Sequence, residues 1–223
     1  MQSEENTERR AGRPTSEETS RLNEEILQAA MKVFAKEGFG GASMEEIAQQ
    51  SRTTRRSILN RFQDKETLLI AVVELSVWQL HKRFMPTESM LAAKPLETLK
   101  GVCRLMLETC TSQEMIDCYS LCIAHVAKFP AISTITLRYN DRLADDLRLM
   151  VERAQRSGAF PGRDPAMVAT GLIGAFISNP VNRTALRDPQ FHDSAQIQRY
   201  FDGLWSFFVP EKRPSWIEPD AGS

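Results

Sequence analysis

The chain has 223 residues, of which 42% are hydrophobic and 26% charged, a balance that supports a sizeable core and excludes an intrinsically disordered protein. Its 28 Lys and Arg against 29 Asp and Glu leave a net charge of −1, so it is no histone-like polycation, and any nucleic-acid site must be local. No run of about 18 apolar residues exists, and the polar opening MQSEENTERRAGRPTSEE has no apolar segment, so neither a membrane span nor a signal peptide is expected and the protein is expected to be cytoplasmic.

Residues 1–19 read as a disordered arm carrying the basic patch Arg9-Arg10-Ala11-Gly12-Arg13-Pro14. From Arg21 a helix is expected, with Ile26, Ala30, Val33 and Phe34 on one stripe, ended by Gly38. Ser43 followed by Glu46 forms a capping box that opens a short helix. The pattern breaks from Ser51 to Thr53. A third helix starts at Thr54, and Asp64 caps a fourth that begins at Lys65 and stops before Pro86. Further helices are expected from Pro95 to Cys110, 114–128, 132–156, Asp164 to Ser178, and Asp193 or Ser194 to Phe208. No alternating strand pattern is found. The expectation is an all-α protein of about nine helices.

Three short helices joined by tight turns describe a helix-turn-helix. In the third, Ile58 and Phe62 lie four apart and face inward, leaving Arg55, Arg56, Ser57, Asn60 and Arg61 outward. Between Arg52 and Lys65, five basic residues stand against Asp64 alone. Such a local excess suits a DNA reader, although it also suits a solvated charged face.

The order of residues goes further. Ile-Leu-x-Ala-Ala-x-x-x-Phe-Ala-x-x-Gly-Phe (26–39), Ala-Ser-Met-x-x-Ile-Ala (42–48) and Thr-x-x-Ser-Ile-Leu-Asn-Arg-Phe-x-Asp-Lys-Glu-x-Leu-Leu (54–69) closely resemble the DNA-binding domain of TetR-family transcriptional regulators. The resemblance implies that Ser43 caps the second helix at a phosphate and Thr54 caps the recognition helix. It implies that Arg55, Arg56, Ser57 and Asn60 face the major groove and that Lys65 meets a phosphate; Arg61, outward on the same helix by its spacing, is a further candidate DNA contact. Three positions depart from the family pattern: Leu59 replaces an aromatic, Arg52 a glycine, and Thr53 a valine. Arg13, in its extended Gly-Arg-Pro setting, suits a narrow minor groove, unless the segment is only a solubilising tail.

The implied organisation is a basic arm (1–19), a helix-turn-helix domain (20–80), a ligand-binding and dimerisation domain (81–209) and a flexible tail (210–223). By the same layout the last two helices pair with a second subunit, so that a homodimer reads two half-sites of a pseudo-palindromic double-stranded operator. Ile173, Phe176, Ile177, Ile197, Phe201, Leu204, Trp205 and Phe208 would form that interface; without the resemblance they would read as plain core. Trp78, His81, Met85, Met106, Cys110, Tyr119, Cys122 and His125 are candidates to line a site for a small apolar or aromatic inducer, or else they are core.

The four cysteines, Cys103, Cys110, Cys118 and Cys122, are read as reduced thiols. Cys118, Cys122 and His125 share one helix face, which leaves a metal- or thiol-responsive regulator as an alternative. A Cys/His-dependent helical enzyme is a third reading, but no nucleophile elbow, P-loop or HExxH occurs. No cofactor, metal or catalytic set is expected.

Overall fold

The computed structural model describes residues 16–210. Among them the chain is helical throughout, and it divides into two compact units between Val72 and Val73.

The first unit holds α1 (Ser16–Gly41), α2 (Met44–Gln50), α3 (Arg55–Phe62) and the start of α4 (Lys65–Phe84). Helix α1 opens at Ser16, five residues before the apolar stripe predicts. Residues 16–20 carry no apolar periodicity, but Glu17 and Glu18 in the first turn suit the positive end of the helix dipole. The basic patch with Arg13 and residues 211–223 lie outside the described residues. Gly38, at φ 68° and ψ 164°, breaks α1 as expected. The core of this unit is built from Ile26, Ala30, Val33 and Phe34 of α1, Ile47 and Ala48 of α2, Ile58 and Phe62 of α3, and Leu68, Leu69 and Val72 of α4.

Each short helix is started by its own side chain. Ser43 Oγ accepts from Glu46 N–H at 3.1 Å, Thr54 Oγ1 from Ser57 N–H at 3.1 Å, and Asp64 Oδ1 from Thr67 N–H at 2.7 Å. These bonds satisfy donors that the first turn leaves open. Arg52 adopts φ 52° in the turn between α2 and α3. That is the left-handed conformation for which glycine is the unstrained choice.

The second unit begins within α4 and continues through α5 (Glu88–Ala93), α6 (Pro95–Cys110), α7 (Gln113–His125), α8 (Pro130–Arg156), α9 (Pro165–Ile173), α10 (Asn179–Ala185) and α11 (Ser194–Phe208). Its core gathers Phe84, Leu99, Met106, Leu107, Leu143, Leu147, Val151, Leu172, Phe176 and Phe201. The nine expected helices are all present. The six-residue α5 is additional: too short to display a period, it is capped by Thr87 and tied to α6 by Thr98 Oγ1 donating to Met90 O at 2.9 Å.

The eighth expected helix does not stop before Pro180. A π turn, Gly174–Ser178, joins α9 to α10, with Asn179 N–H bonded to Gly174 O. The wider turn accommodates a proline that has no N–H to give and would crowd a regular turn. The Ala175 carbonyl accepts instead from Tyr200 Oη of α11 at 2.8 Å, and Asn179 Nδ2 donates to that hydroxyl at 2.9 Å. Close packing continues at Gly171, where an added Cβ would lie 3.0 Å from the Phe208 ring.

Candidate DNA-binding face and effector region

Helix α3 is anchored by the buried Ile58 and Phe62 and turns Arg55, Arg56 and Asn60 to solvent. Arg56 has no ion-pair partner among the described residues. Arg55 Nε meets Glu45 Oε1 of α2 at 2.7 Å, with both side chains largely exposed. A pair in water is worth little, so Arg55 can exchange Glu45 for a nucleic-acid acceptor. Ser43 and Thr54 use an oxygen lone pair for their caps and keep the hydroxyl hydrogen for an outside acceptor.

Two of the expected contact residues have their donors committed within the unit. Arg61 Nε donates to Asn23 Oδ1 of α1 at 2.8 Å, while its Nη1 donates to Ser57 Oγ at 3.0 Å and Ser57 O at 3.3 Å. Lys65 Nζ donates to Ala42 O at 2.9 Å and Gly40 O at 3.4 Å and lies 4.8 Å from the Phe39 ring centre. Helical spacing placed Arg61 outward, but Asn23 is 38 positions away and no local pattern reveals it. Arg61 fixes α3 on α1, and Lys65 fixes the loop before α2. Arg61→Ala is therefore expected to destabilise this unit by about 1–2 kcal/mol. It should also weaken DNA binding without reducing its salt dependence. Urea denaturation alongside DNA titrations at several salt concentrations checks this; a slope lower by one phosphate contact would make Arg61 a direct contact.

The residues expected to line a ligand site differ in exposure. Trp78 is 55% exposed, with Lys82 Nζ 5.2 Å from its ring. Met106 and Cys110 are closed into the core. Tyr119, Cys122 and His125 are half-buried on α7, where His125 packs on Phe129. Met85 lines an open groove of about 710 Å³ with Phe84, Pro86, Met90, Val102 and Leu105, and with Arg83 and Lys94 among the polar lining. The sequence reading missed Met90 because α5 was not foreseen.

The cysteines fall into two kinds. Burial pushes the Cys110 thiol up to about 12, and raises Cys103 further. Cys122 donates its S–H toward Cys118, which lowers Cys118 and raises Cys122; burial opposes the first shift and adds to the second. The Ser76 hydroxyl also lowers Cys118. Among the described residues no three His, Cys, Asp or Glu side chains are grouped to hold a metal ion, so the shared helix face of Cys118, Cys122 and His125 gains no geometric support as a metal site.

Thiols raised on folding stabilise the protein fully below the ordinary thiol range and lose that contribution as pH rises through it toward the raised value. With Cys103 and Cys110 buried, stability should fall by about 1.4 kcal/mol per pH unit for each thiol above roughly pH 9. Urea midpoints measured from neutral to strongly alkaline pH check this, and a Cys103→Ala, Cys110→Ala variant should show a flatter decline.

The residues expected at a subunit contact divide by burial. Phe176, Phe201 and Trp205 are core, with Trp205 stacked on Phe201 at a centroid distance of 6.1 Å. A helix apolar around much of its circumference does not reveal which side its own unit covers. Ile173, Ile177, Ile197, Leu204 and Phe208 are half-buried. Phe207, 71% exposed on α11, and Met167, 70% exposed on α9, are further apolar residues that stand open to solvent. Phe207 packs edge-on against Phe208, which meets Gly171 of α9.

A capped helix-turn-helix with a cationic recognition helix, followed by a separate all-helical unit, defines a DNA-binding regulator. Residues 26–72 match the family model described as bacterial regulatory proteins, tetR family, and residues 97–209 match the AefR-like transcriptional repressor, C-terminal domain. The chain belongs to the TetR family of transcriptional regulators, whose members bind operator DNA and function as dimers.

It is 24% identical over 175 residues to the HTH-type transcriptional regulator AcrR of Shigella flexneri, spanning 75% of this chain and 81% of that protein. Over 59 residues it is 41% identical to the HTH-type transcriptional repressor NicS of Pseudomonas putida, spanning 26% of this chain and 28% of that one. Its fold matches a TetR-family protein from Mesorhizobium loti with a TM-score of 0.76 at 23% identity, covering 87% of this chain and 97% of that one. It also matches NalD, the secondary repressor of the MexAB-OprM multidrug efflux pump in Pseudomonas aeruginosa, with a TM-score of 0.62 at 18% identity, covering 87% and 100%. Among the described residues no helix is long and apolar enough to cross a membrane.

Proposed function

We propose that this chain is a repressor that binds a pseudo-palindromic operator as a homodimer and is released by a small molecule with an apolar or aromatic body. The observation that carries the reading is the face of α3: Arg55, Arg56 and Asn60 stand exposed on a helix whose opposite side is locked by Ile58, Phe62 and the Arg61–Asn23 bond. Arginine and asparagine are the side chains that read guanine and adenine edges bidentately. The C-terminal match to a repressor domain and the repressor names of NicS and NalD support the sign of regulation. Such a protein works beside the bacterial chromosome, in the cytoplasm.

Release requires the ligand to prefer the DNA-free state; a 100-fold loss of operator affinity corresponds to about 2.7 kcal/mol of coupling. Genomic footprinting tests the reading by yielding an operator, on which apolar compounds are then screened for release. Absence of any inverted-repeat footprint would refute it. A thiol-responsive reading draws on the lowered Cys118 thiol beside Cys122; it requires release by a thiol-alkylating agent that Cys118→Ser abolishes.

A further inference from the structure

Among the described residues of the second unit, a half-buried polar cluster joins α4 to α8. His81 of α4 places Nε2 3.4 Å from Asp146 Oδ2 of α8, a separation without hydrogen-bond alignment. The edge of the Tyr139 ring, also on α8, meets His81 with ring centres 6.1 Å apart at 82°. Tyr139 and Asp146 lie seven residues apart, two turns along the same face of α8. His81 Nδ1, Tyr139 Oη and Asp146 Oδ2 are all buried atoms, and none has a hydrogen-bond partner among the described residues. Buried polar atoms are paired in the great majority of cases, so three unpaired ones on touching residues call for an occupant.

The chemistry of the three atoms defines what would satisfy them. In the neutral tautomer that carries its proton on Nε2, the nitrogen nearer Asp146, His81 presents a lone pair at Nδ1. Asp146 Oδ2 is an acceptor. Tyr139 Oη is an acceptor through its lone pairs, and burial raises the phenol so that it keeps its proton. Three acceptors, one of them a carboxylate oxygen, match a group rich in N–H donors and positively charged. The His81 and Tyr139 rings suit the carbon next to such a group. An anionic head would face Asp146 with like charge.

We infer that His81, Tyr139 and Asp146 form the head-group site for a protonated amine carried on an apolar body. This rests on reading the second unit as the effector-binding part of the molecule and narrows the effector from any apolar compound to an amine.

The test uses the full-length protein and three probes with one body and different heads: phenylbutylamine, phenylbutanol and phenylbutyrate. Calorimetry should show that the amine binds at millimolar concentration or below, the alcohol about tenfold more weakly, and the acid not measurably. Asp146→Asn should remove the preference for the amine, while Asp145→Asn, an exposed carboxylate next door, should keep it. Tyr139→Phe should weaken the amine several-fold, which keeps the site testable should Asp146→Asn fail to show a cooperative thermal transition. Equal binding of the three probes, no binding of the amine, or an unchanged preference in folded Asp146→Asn would overturn the site and leave buried water as the occupant of the cluster. Operator release measured in parallel separates the two readings. An amine that binds selectively without releasing DNA supports the site and refutes amine induction. Release by other compounds with no amine binding refutes the site and supports small-molecule induction.

Discussion

Replacing Arg55, Arg56 and Asn60 together by alanine is expected to lower operator affinity by at least about a hundredfold. A well-placed base contact contributes about 1–3 kcal/mol of discrimination. Three on adjacent turns of one helix couple, so their losses need not add simply. All three side chains are exposed and none contributes to the core, so the thermal transition of the variant should match that of the parent. What survives should be salt-sensitive, sequence-independent binding. A folded triple variant with parental operator affinity would move the reading face off α3. The single changes differ in an informative way. Arg55→Ala also releases Glu45, leaving an unpaired carboxylate where phosphates approach, so it should cost more than Arg56→Ala wherever both contact DNA.

Phe207→Glu is expected to dissociate the dimer. Phe207 is 71% exposed on α11 beside half-buried Leu204 and Phe208. In a two-fold dimer each substitution acts twice. Losing two phenylalanine side chains from a subunit contact removes about 3–6 kcal/mol of apolar burial, and the two carboxylates add the cost of burying unpaired charge. Light scattering should report monomers at concentrations where the parent is dimeric, and operator affinity should fall because the half-sites are no longer linked. Trp205→Glu makes a useful contrast. It places a charge in the stacked Phe201–Trp205 core, so it should unfold the second unit rather than give clean monomers. A soluble dimer of parental affinity from Phe207→Glu would put the contact elsewhere on the second unit.

The helix-turn-helix was legible because its determinants are local. Ser43, Thr54 and Asp64 each cap a helix three residues from the group they bond. The 3.6-residue period assigns Ile58 and Phe62 inward without reference to distant residues. Arg52, standing where the family pattern has glycine, adopts a positive φ because its turn requires one whatever side chain occupies it. Less was legible where a polar group has more than one available partner. Arg61 satisfies every local criterion for an outward cation, yet Asn23 captures it. In the second unit, α5 is too short for a period, and the π turn at Gly174–Ser178 depends on Tyr200, some two dozen residues later, to donate a hydrogen bond to the displaced Ala175 carbonyl.

The sequence by itself determined the helical class, the break of the first helix at Gly38, the caps of the next three, the polarity of α3 and the family, because all of these follow from residues within a few turns of one another. Only the tertiary structure decided which apolar residues of α9 and α11 are core and which are left exposed. It also decided that Met106 and Cys110 are packed shut, and that His81 meets Tyr139 and Asp146. The reason is physical: periodicity gives the direction of a side chain from its own helix axis, whereas burial and pairing depend on what another helix, folded back from far along the chain, places in front of it.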